Sequence, residues 1–231
     1  MITFYNHLFN LLRSLLSALC AWIMAILAPP FCAHCKKFLA ARVVFCDACF
    51  SRIHPIASQS LAVTATKKIT VFAVSSYREP LLSLVLAKSY GNIIAATQLG
   101  ELMWQCTDLP SIDFDYLVPI PLHWGRYAKR GYNQAAESAS VIAKYSKKPI
   151  AHLLKRTKKT SFQSYLSHDK RFDNVKDAFV LTKHASHAFK DKILLIVDDV
   201  MTSGATLQTA ARQLYSLKPK AVIAIVACRV M

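Results

Sequence analysis

The residues best able to do chemistry lie in one run, Ile193 to Thr206, which reads ILLIVDDVMTSGAT. Five apolar residues lead into Asp198 and Asp199, and a turn of Thr202, Ser203, Gly204, Ala205 and Thr206 follows. An unbroken apolar run of this length reads as a strand buried on both faces, as in a parallel sheet. In open α/β sheets, ligands sit at the carboxyl ends of the strands. Two carboxylates there can accept hydrogen bonds from a pair of sugar hydroxyls. The turn offers hydroxyls and backbone N–H groups at a helix N-terminus, which suits a phosphate. A sugar phosphate, held as diol plus phosphate, fits both halves. The plainer alternative is a helix cap with incidental acids. A lone Asp-Asp pair would not decide between them, but the complete unit of strand, acid pair, turn and helix is specific.

The second constellation is Cys32, Cys35, Cys46 and Cys49, two Cys-x2-Cys pairs with ten residues between them. A two-residue gap on a tight turn lets two thiolates face one tetrahedral metal, and a second such knuckle closes the shell. Four thiolates with no open position read as structural zinc. Disulfides would need an oxidising compartment and a cleavable signal peptide, and unliganded thiols are the third option. Cys20, Cys106 and Cys228 lie in apolar runs and read as buried thiols.

The third is charge. The 231 residues carry 29 Lys and Arg against 13 Asp and Glu, a formal +16 on a chain of which only 18% is charged. That excess implies an anionic partner, with mere solubility as the alternative. More than half of it falls between Lys144 and Lys192, where 13 Lys and Arg face 4 Asp. Lys155, Arg156, Lys158, Lys159 and Arg171 interleave there with Phe162, Tyr165 and Phe172. Basic residues with spaced aromatics suit single-stranded nucleic acid, whose bases stack while its phosphates pair.

The elements that must position these groups follow from the hydrophobic pattern. An apolar fraction of 54% excludes a disordered chain, and the length allows one or two domains. Strand-like runs occur at 69–74, 116–121, 192–197 and 221–227. Helical periodicity occurs at 80–90, 93–105, 134–145 and 206–217. Strands alternating with helices predict an α/β fold with a parallel sheet. The N-terminal stretch 8–28 contains 15 uncharged residues after Arg13, with apolar residues at helical spacing. It reads as a docked or membrane-surface helix, with a transmembrane anchor and a signal peptide as alternatives; a spanning helix needs about 20 apolar residues.

Four segments then carry a family resemblance. Residues 193–206 resemble the phosphoribosyl-pyrophosphate (PRPP) motif of type I phosphoribosyltransferases. PIPLHWGRYAKRGYNQA (119–135) is similar to the PxPLxxxRxxxRGFNQ signature of the ComF/GntX family. LLKRTKKTSFQSYLSHDKRFDNVKDAF (153–179) is similar to its second signature, and KSYGN (88–92) to its LKxxGD segment. The resemblance covers about residues 29–228. The sequence departs from it at Ser203, where a second Thr is common, and at Lys218-Pro219-Lys220, where a Gly usually leads into the last strand. Family spacings between the Cys pairs run slightly longer, so His34 or His54 could replace one ligand.

The resemblance implies a type I phosphoribosyltransferase-like open parallel sheet flanked by helices, preceded by a small N-terminal zinc-knuckle module with four cysteine ligands. The implied organisation is an apolar helix at 1–30, a zinc module at 31–60 and a transferase-like domain at 65–231, with a basic excursion at 144–192. PRPP, with Mg²⁺, would meet Asp198, Asp199 and the Thr202–Thr206 turn. Its pyrophosphate would meet the loop Pro119, Ile120, Pro121, Leu122 and His123, with Arg126, Lys129 and Arg130 beyond; a solvated basic helix face is the alternative for these three. Asn133 and Gln134 would cap the next helix or meet the ligand, and His123 reads equally as solvent-facing or catalytic. The basic excursion would serve as a hood over PRPP, as a contact for single-stranded DNA, or as both. The implied setting is DNA uptake or utilisation in natural competence, in the cytoplasm, beside other DNA-processing proteins, with membrane-surface contact through residues 8–28. An active transferase with an unidentified acceptor, and a zinc-stabilised adaptor with a vestigial site, are the competing functions.

Overall fold

The computed structural model describes residues 13, 29–89, 92–157 and 178–230. Residues 8–12 and 14–28, Tyr90, Gly91, and the expected nucleic-acid contacts Lys158, Lys159, Phe162, Tyr165 and Arg171 lie outside the described residues. Among the described residues, no helix is long and apolar enough to cross a membrane. The chain divides into two compact units after Phe50.

The first unit is built around the two cysteine turns. The Cys32 N–H donates to the Lys37 carbonyl at 2.8 Å and the Lys36 N–H to the Cys32 carbonyl at 3.0 Å. Lys36 takes the left-handed conformation this reversal needs, with φ 63°. A β-bridge joins Phe31 to Phe38 across the turn, and their rings meet edge to face at 6.1 Å. In the second turn, the Cys49 and Phe50 amides donate to the Cys46 carbonyl at 2.9 and 2.8 Å and open the short helix α1 (Asp47–Phe50).

The second unit runs β1 (Gln59–Ala62), β2 (Lys68–Ser76), α2 (Leu81–Ser89), α3 (Ile93–Gln105), β3 (Tyr116–Pro119), α4 (Trp124–Arg130), α5 (Gln134–Ser146), β4 (Leu154–Arg156), β5 (Phe179–Leu181), β6 (Ile193–Val197), β7 (Val200–Met201), α6 (Ala205–Tyr215) and β8 (Ala221–Arg229). The sheet order is β1-β2-β8-β6-β3, with β7 pairing β8. Strands β2, β8, β6 and β3 are mutually parallel. This is the open α/β sheet expected from the strand–helix alternation.

The core explains why β6 carries no period-two signal. Strand side chains alternate between faces. Leu194 and Ile196 pack in one core with Leu207, Ala210, Ala211 and Leu214 of α6, while Leu195 and Val197 are equally buried at the alternate positions. Helices α3 and α5 also pack on the sheet and on each other, where the Ser138 hydroxyl donates to the Ala96 carbonyl at 2.8 Å.

Two features depart from a simple parallel sheet. β1 adds to the edge antiparallel to β2, and β4 pairs with β5 as a separate antiparallel ladder. The region from Lys144 to Lys192 is therefore less of a free excursion than its charge suggests. Leu153, Leu154, Ala178 and Phe179 belong to the core. Lys148 pairs with Asp113 and Lys192 with Asp115, each at 3.7 Å.

The turn into β8 shows what the missing glycine costs. Lys218 sits there at φ 55°, a conformation that crowds any Cβ. Lys218→Gly is expected to raise stability by roughly 0.5–1 kcal/mol, the relieved left-handed strain less the added chain entropy. A higher urea midpoint at unchanged slope would report it.

Candidate functional site

The acid pair occupies the gap between two ladders. Val197 pairs with Ile225 at the end of β6, and pairing resumes with Val200 opposite Cys228 in β7. Between them, the Asp198 amide donates to the Ile225 carbonyl at 3.1 Å, and the Asp199 carbonyl accepts from Ala227 and Cys228 at 3.0 and 3.2 Å. The backbone is thus fixed at the carboxyl end of the sheet. One Asp198 carboxylate oxygen accepts the Asp199 amide at 2.9 Å. Both acids are half-buried.

The turn that follows leads into α6 through Gly204. Gly204 has φ 80°, and a Cβ built on it would lie 2.8 Å from the Leu61 side chain of β1. That conformation favours glycine, and a larger residue would also have to displace the Leu61 side chain, so the edge strand closes against the turn. No side chain caps the N-terminus of α6. The first N–H groups of a helix lack intrahelical acceptors and carry a partial positive charge. The Ser203 Oγ beside them is buried without a hydrogen-bond partner. Asp198, Val200, Met201, Thr202, Gly204, Thr206 and Leu207 line a small depression here.

The loop after β3 is brought alongside by strand pairing. Pro119 pairs with Val197, and the Ile120 amide donates to the Val197 carbonyl at 2.9 Å, one residue before Asp198. Pro121 and Leu122 are half-buried in this loop. His123 is only 6% exposed, and its Nδ1 accepts the Gly125 amide at 3.2 Å as the N-cap of α4. Its visible role is to cap. Asn133 caps α5, its Oδ1 accepting from Ala135 at 3.2 Å while its Nδ2 donates to the Ile120 carbonyl at 3.0 Å. Gln134 is buried, and its Nε2 has no hydrogen-bond partner.

Arg156 is the residue whose placement differs most from its expected role. It is 8% exposed, with its guanidinium 5.4 Å above the Phe179 ring, while neighbouring Lys155 is exposed. Burial pushes its pKa down to about 10; the charge of Arg126 lowers it further and that of Asp198 opposes the change. Arg126 is itself lowered by burial and then by Arg130. The charge of Arg130 thus acts on Arg126, and those of Arg126 and Asp198 act on Arg156. The sequence carries the signal: Leu154 and Arg156 share one face of β4 and Lys155 the other, by simple alternation.

In the first unit, the four cysteine sulfurs lie within 4.8 Å of one another. Cys35 and Cys46 are 3.6 Å apart, beyond the roughly 2.05 Å of a disulfide. A tetrahedron of zinc–sulfur bonds of about 2.3 Å has edges of about 3.8 Å, so the cluster fits a metal ion. No histidine joins it among the described residues. Burial raises the Cys32 thiol, but backbone hydrogen bonds around Cys46, Cys35 and His34 outweigh it and bring it down to about 6. Cys49 is pushed up to about 12 by burial and then by its three neighbours. Crowded thiols lose the first proton readily and the last with difficulty. Of the other cysteines, Cys228 is buried and Cys106 only half-buried, while Cys20 lies outside the described residues.

The chain is similar to several known proteins. The phosphoribosyl transferase domain family matches residues 128–231. The chain is 27% identical over 199 residues to Competence protein F of Haemophilus influenzae, covering 81% of this chain and 80% of that protein. It is 29% identical over 216 residues to DNA utilization protein YhgH of Salmonella typhi, covering 85% and 88%. A purine phosphoribosyltransferase from Pyrococcus horikoshii Ot3 matches with a TM-score of 0.29 at 19% identity, covering 62% of this chain and 72% of that one.

Proposed function

We propose, from a chain that carries a phosphoribosyl transferase domain and resembles competence and DNA-utilisation proteins, that the protein binds PRPP and works on single-stranded DNA during its uptake or use. One observation carries the PRPP half. The acid pair and the uncapped start of α6 lie at the carboxyl ends of the adjacent parallel strands β3 and β6, and Arg156 feels the charges of both Arg126 and Asp198. In this reading, the 5′-phosphate rests on the Thr202–Thr206 turn and the ribose hydroxyls on Asp198 and Asp199. The pyrophosphate faces the Pro119–His123 loop, Arg126 and Arg156. Gln134 Nε2 and Ser203 Oγ, both buried without partners, supply further polar contacts. Mg²⁺ suits hard oxygen ligands and arrives with substrate phosphates; Asp198 and Asp199 supply such oxygens, and the ion would neutralise pyrophosphate charge. The four cysteines hold zinc as a structural ion. The DNA half rests on the relatives and on the basic surface.

A second reading, favoured by the retained acids, is active transfer of the phosphoribosyl group. It requires stabilising positive charge at the anomeric carbon and the departing pyrophosphate. Titrating the purified protein with PRPP and Mg²⁺, and separately with oligo(dT) across a salt series, tests the proposal. PRPP binding together with DNA affinity that falls steeply with salt supports it. Pyrophosphate release with a nucleobase supports the second reading. Failure of the protein to bind PRPP would overturn both.

Arg156 adds an expected result. Folding holds its pKa near 10, below the ordinary 12.5. The unfolded chain therefore binds the proton more tightly, and the charged group costs stability at neutral pH. That cost is relieved as pH rises through 10. Arg156→Met is expected to match or exceed the wild type in urea midpoint at pH 7. It should nevertheless weaken PRPP binding about 10- to 100-fold, as for a lost charged hydrogen bond. Parallel denaturation and PRPP titrations read the two effects.

A further inference from the structure

The outer face of α4 carries aromatic residues that the fold does not use. Trp124 is 75% exposed and Tyr127 52% exposed, so neither is held by the core. At helical spacing, positions 124, 127 and 130 form one stripe. Trp124, Tyr127 and Arg130 therefore lie in a row, two aromatic rings followed by a guanidinium. The helix contains no acidic residue, and Lys129 and Arg130 fill its last turn. Gly131 closes it in the left-handed conformation at φ 78°, its amide donating to the Tyr127 carbonyl.

The stripe also has a fixed base and a direction. His123, buried and bound to the Gly125 amide, lies beneath Trp124 with ring centroids 5.6 Å apart. α4 follows directly on the Pro119–His123 loop, whose Ile120 amide donates to the Val197 carbonyl one residue before Asp198. The charge of Arg130 acts on Arg126, and those of Arg126 and Asp198 act on Arg156. Exposed planar rings bordered by positive charge match a strand whose unpaired bases stack while its phosphates pair. A paired duplex hides its base faces and could not stack on them. A protein partner would favour a broad apolar patch, whereas these rings are bordered by arginine and lysine.

We propose that the Trp124–Tyr127–Arg130 face of α4 is a stacking platform for single-stranded DNA, leading its strand to the rim of the phosphoribosyl site. This rests on the DNA-binding reading above and moves its base contacts from the basic excursion to α4. Each ring stacks on one base, and Arg130 takes a phosphate at the end of the row.

The test is binding of oligo(dT) at fixed ionic strength, read by fluorescence anisotropy and by quenching of tryptophan emission. Trp124→Ala with Tyr127→Ala is expected to weaken binding by about tenfold or more per lost stack. Trp124→Phe with Tyr127→Phe should retain most of the affinity, because a ring remains at each position. Quenching should disappear in Trp124→Phe although that variant still binds. Urea midpoints of all variants guard against loss of fold. If the double alanine variant folds and binds within twofold of the wild type, the platform is wrong while the DNA reading stands. If the wild type does not bind oligo(dT), the DNA reading itself fails, and the platform with it.

Discussion

Asp198→Asn combined with Asp199→Asn is expected to lower the affinity for Mg²⁺-bound PRPP by about two to four powers of ten. Two hydrogen bonds from ribose hydroxyls to charged oxygens would become bonds to neutral amides. Bonds to charged groups contribute about 1.5–3 kcal/mol each, and 1.4 kcal/mol is tenfold. The fold should survive. The Asp199 amide binds Asp198 Oδ1, a contact an asparagine oxygen also makes, and the backbone here is bonded to β8. A secondary effect follows from the charges. Asp198 is the group that opposes the lowering of Arg156. Its neutralisation should leave the arginine pair less compensated and the protein slightly less stable at pH 7. Isothermal titration with denaturation controls measures both. Unchanged affinity in a folded double variant would remove the diol from these two residues.

The second large effect concerns the metal. The purified wild type is expected to hold close to one zinc per chain, and less than half would count against the centre. Removing it, by a strong chelator or by Cys32→Ser with Cys49→Ser, should open the segment from Phe31 to Phe50 to proteases. Structural zinc in small modules supplies about 10–16 kcal/mol of apparent binding energy that is also folding energy. The described part of this unit buries little besides Leu39, Val44, Phe45 and the two inner cysteines. So few apolar side chains do not hold a short segment without a metal or disulfides. Cleavage mapped by mass spectrometry should fall before Ser51. A chelated protein as resistant there as the zinc form would contradict the assignment.

The parts of this molecule legible in sequence are those with one dominant signal. ILLIV reads as a buried parallel strand because both of its faces are covered, and its ends fall within one residue of the expected ones. The cysteine cluster is legible because thiol spacing admits few alternatives. β1 is not legible. Three of its four residues are exposed, and it meets the turn and helix through Leu61 against Gly204 and the Ala62 carbonyl against Gln208, contacts between distant positions that no local pattern encodes. The ladder of β4 and β5 escapes for a similar reason, since strands of three residues are shorter than any periodic signal. Arg156 falls in with its basic neighbours because counting charge over a long stretch treats every lysine and arginine alike. Sequence leaves His123 open between solvent and chemistry, and the structure gives it a capping bond. The aromatic face of α4 lies within a signature read for its arginines, and only the exposure of Trp124 separates it from a core residue.

The most direct test of the central claim is a crystal structure of the protein grown with PRPP and Mg²⁺. The account predicts the 5′-phosphate within hydrogen-bond distance of the Thr202–Thr206 backbone, the ribose hydroxyls on the Asp198 and Asp199 carboxylates, and the pyrophosphate against Arg126 and Arg156. Ordered PRPP whose phosphate and diol lie away from that turn and those acids would contradict it.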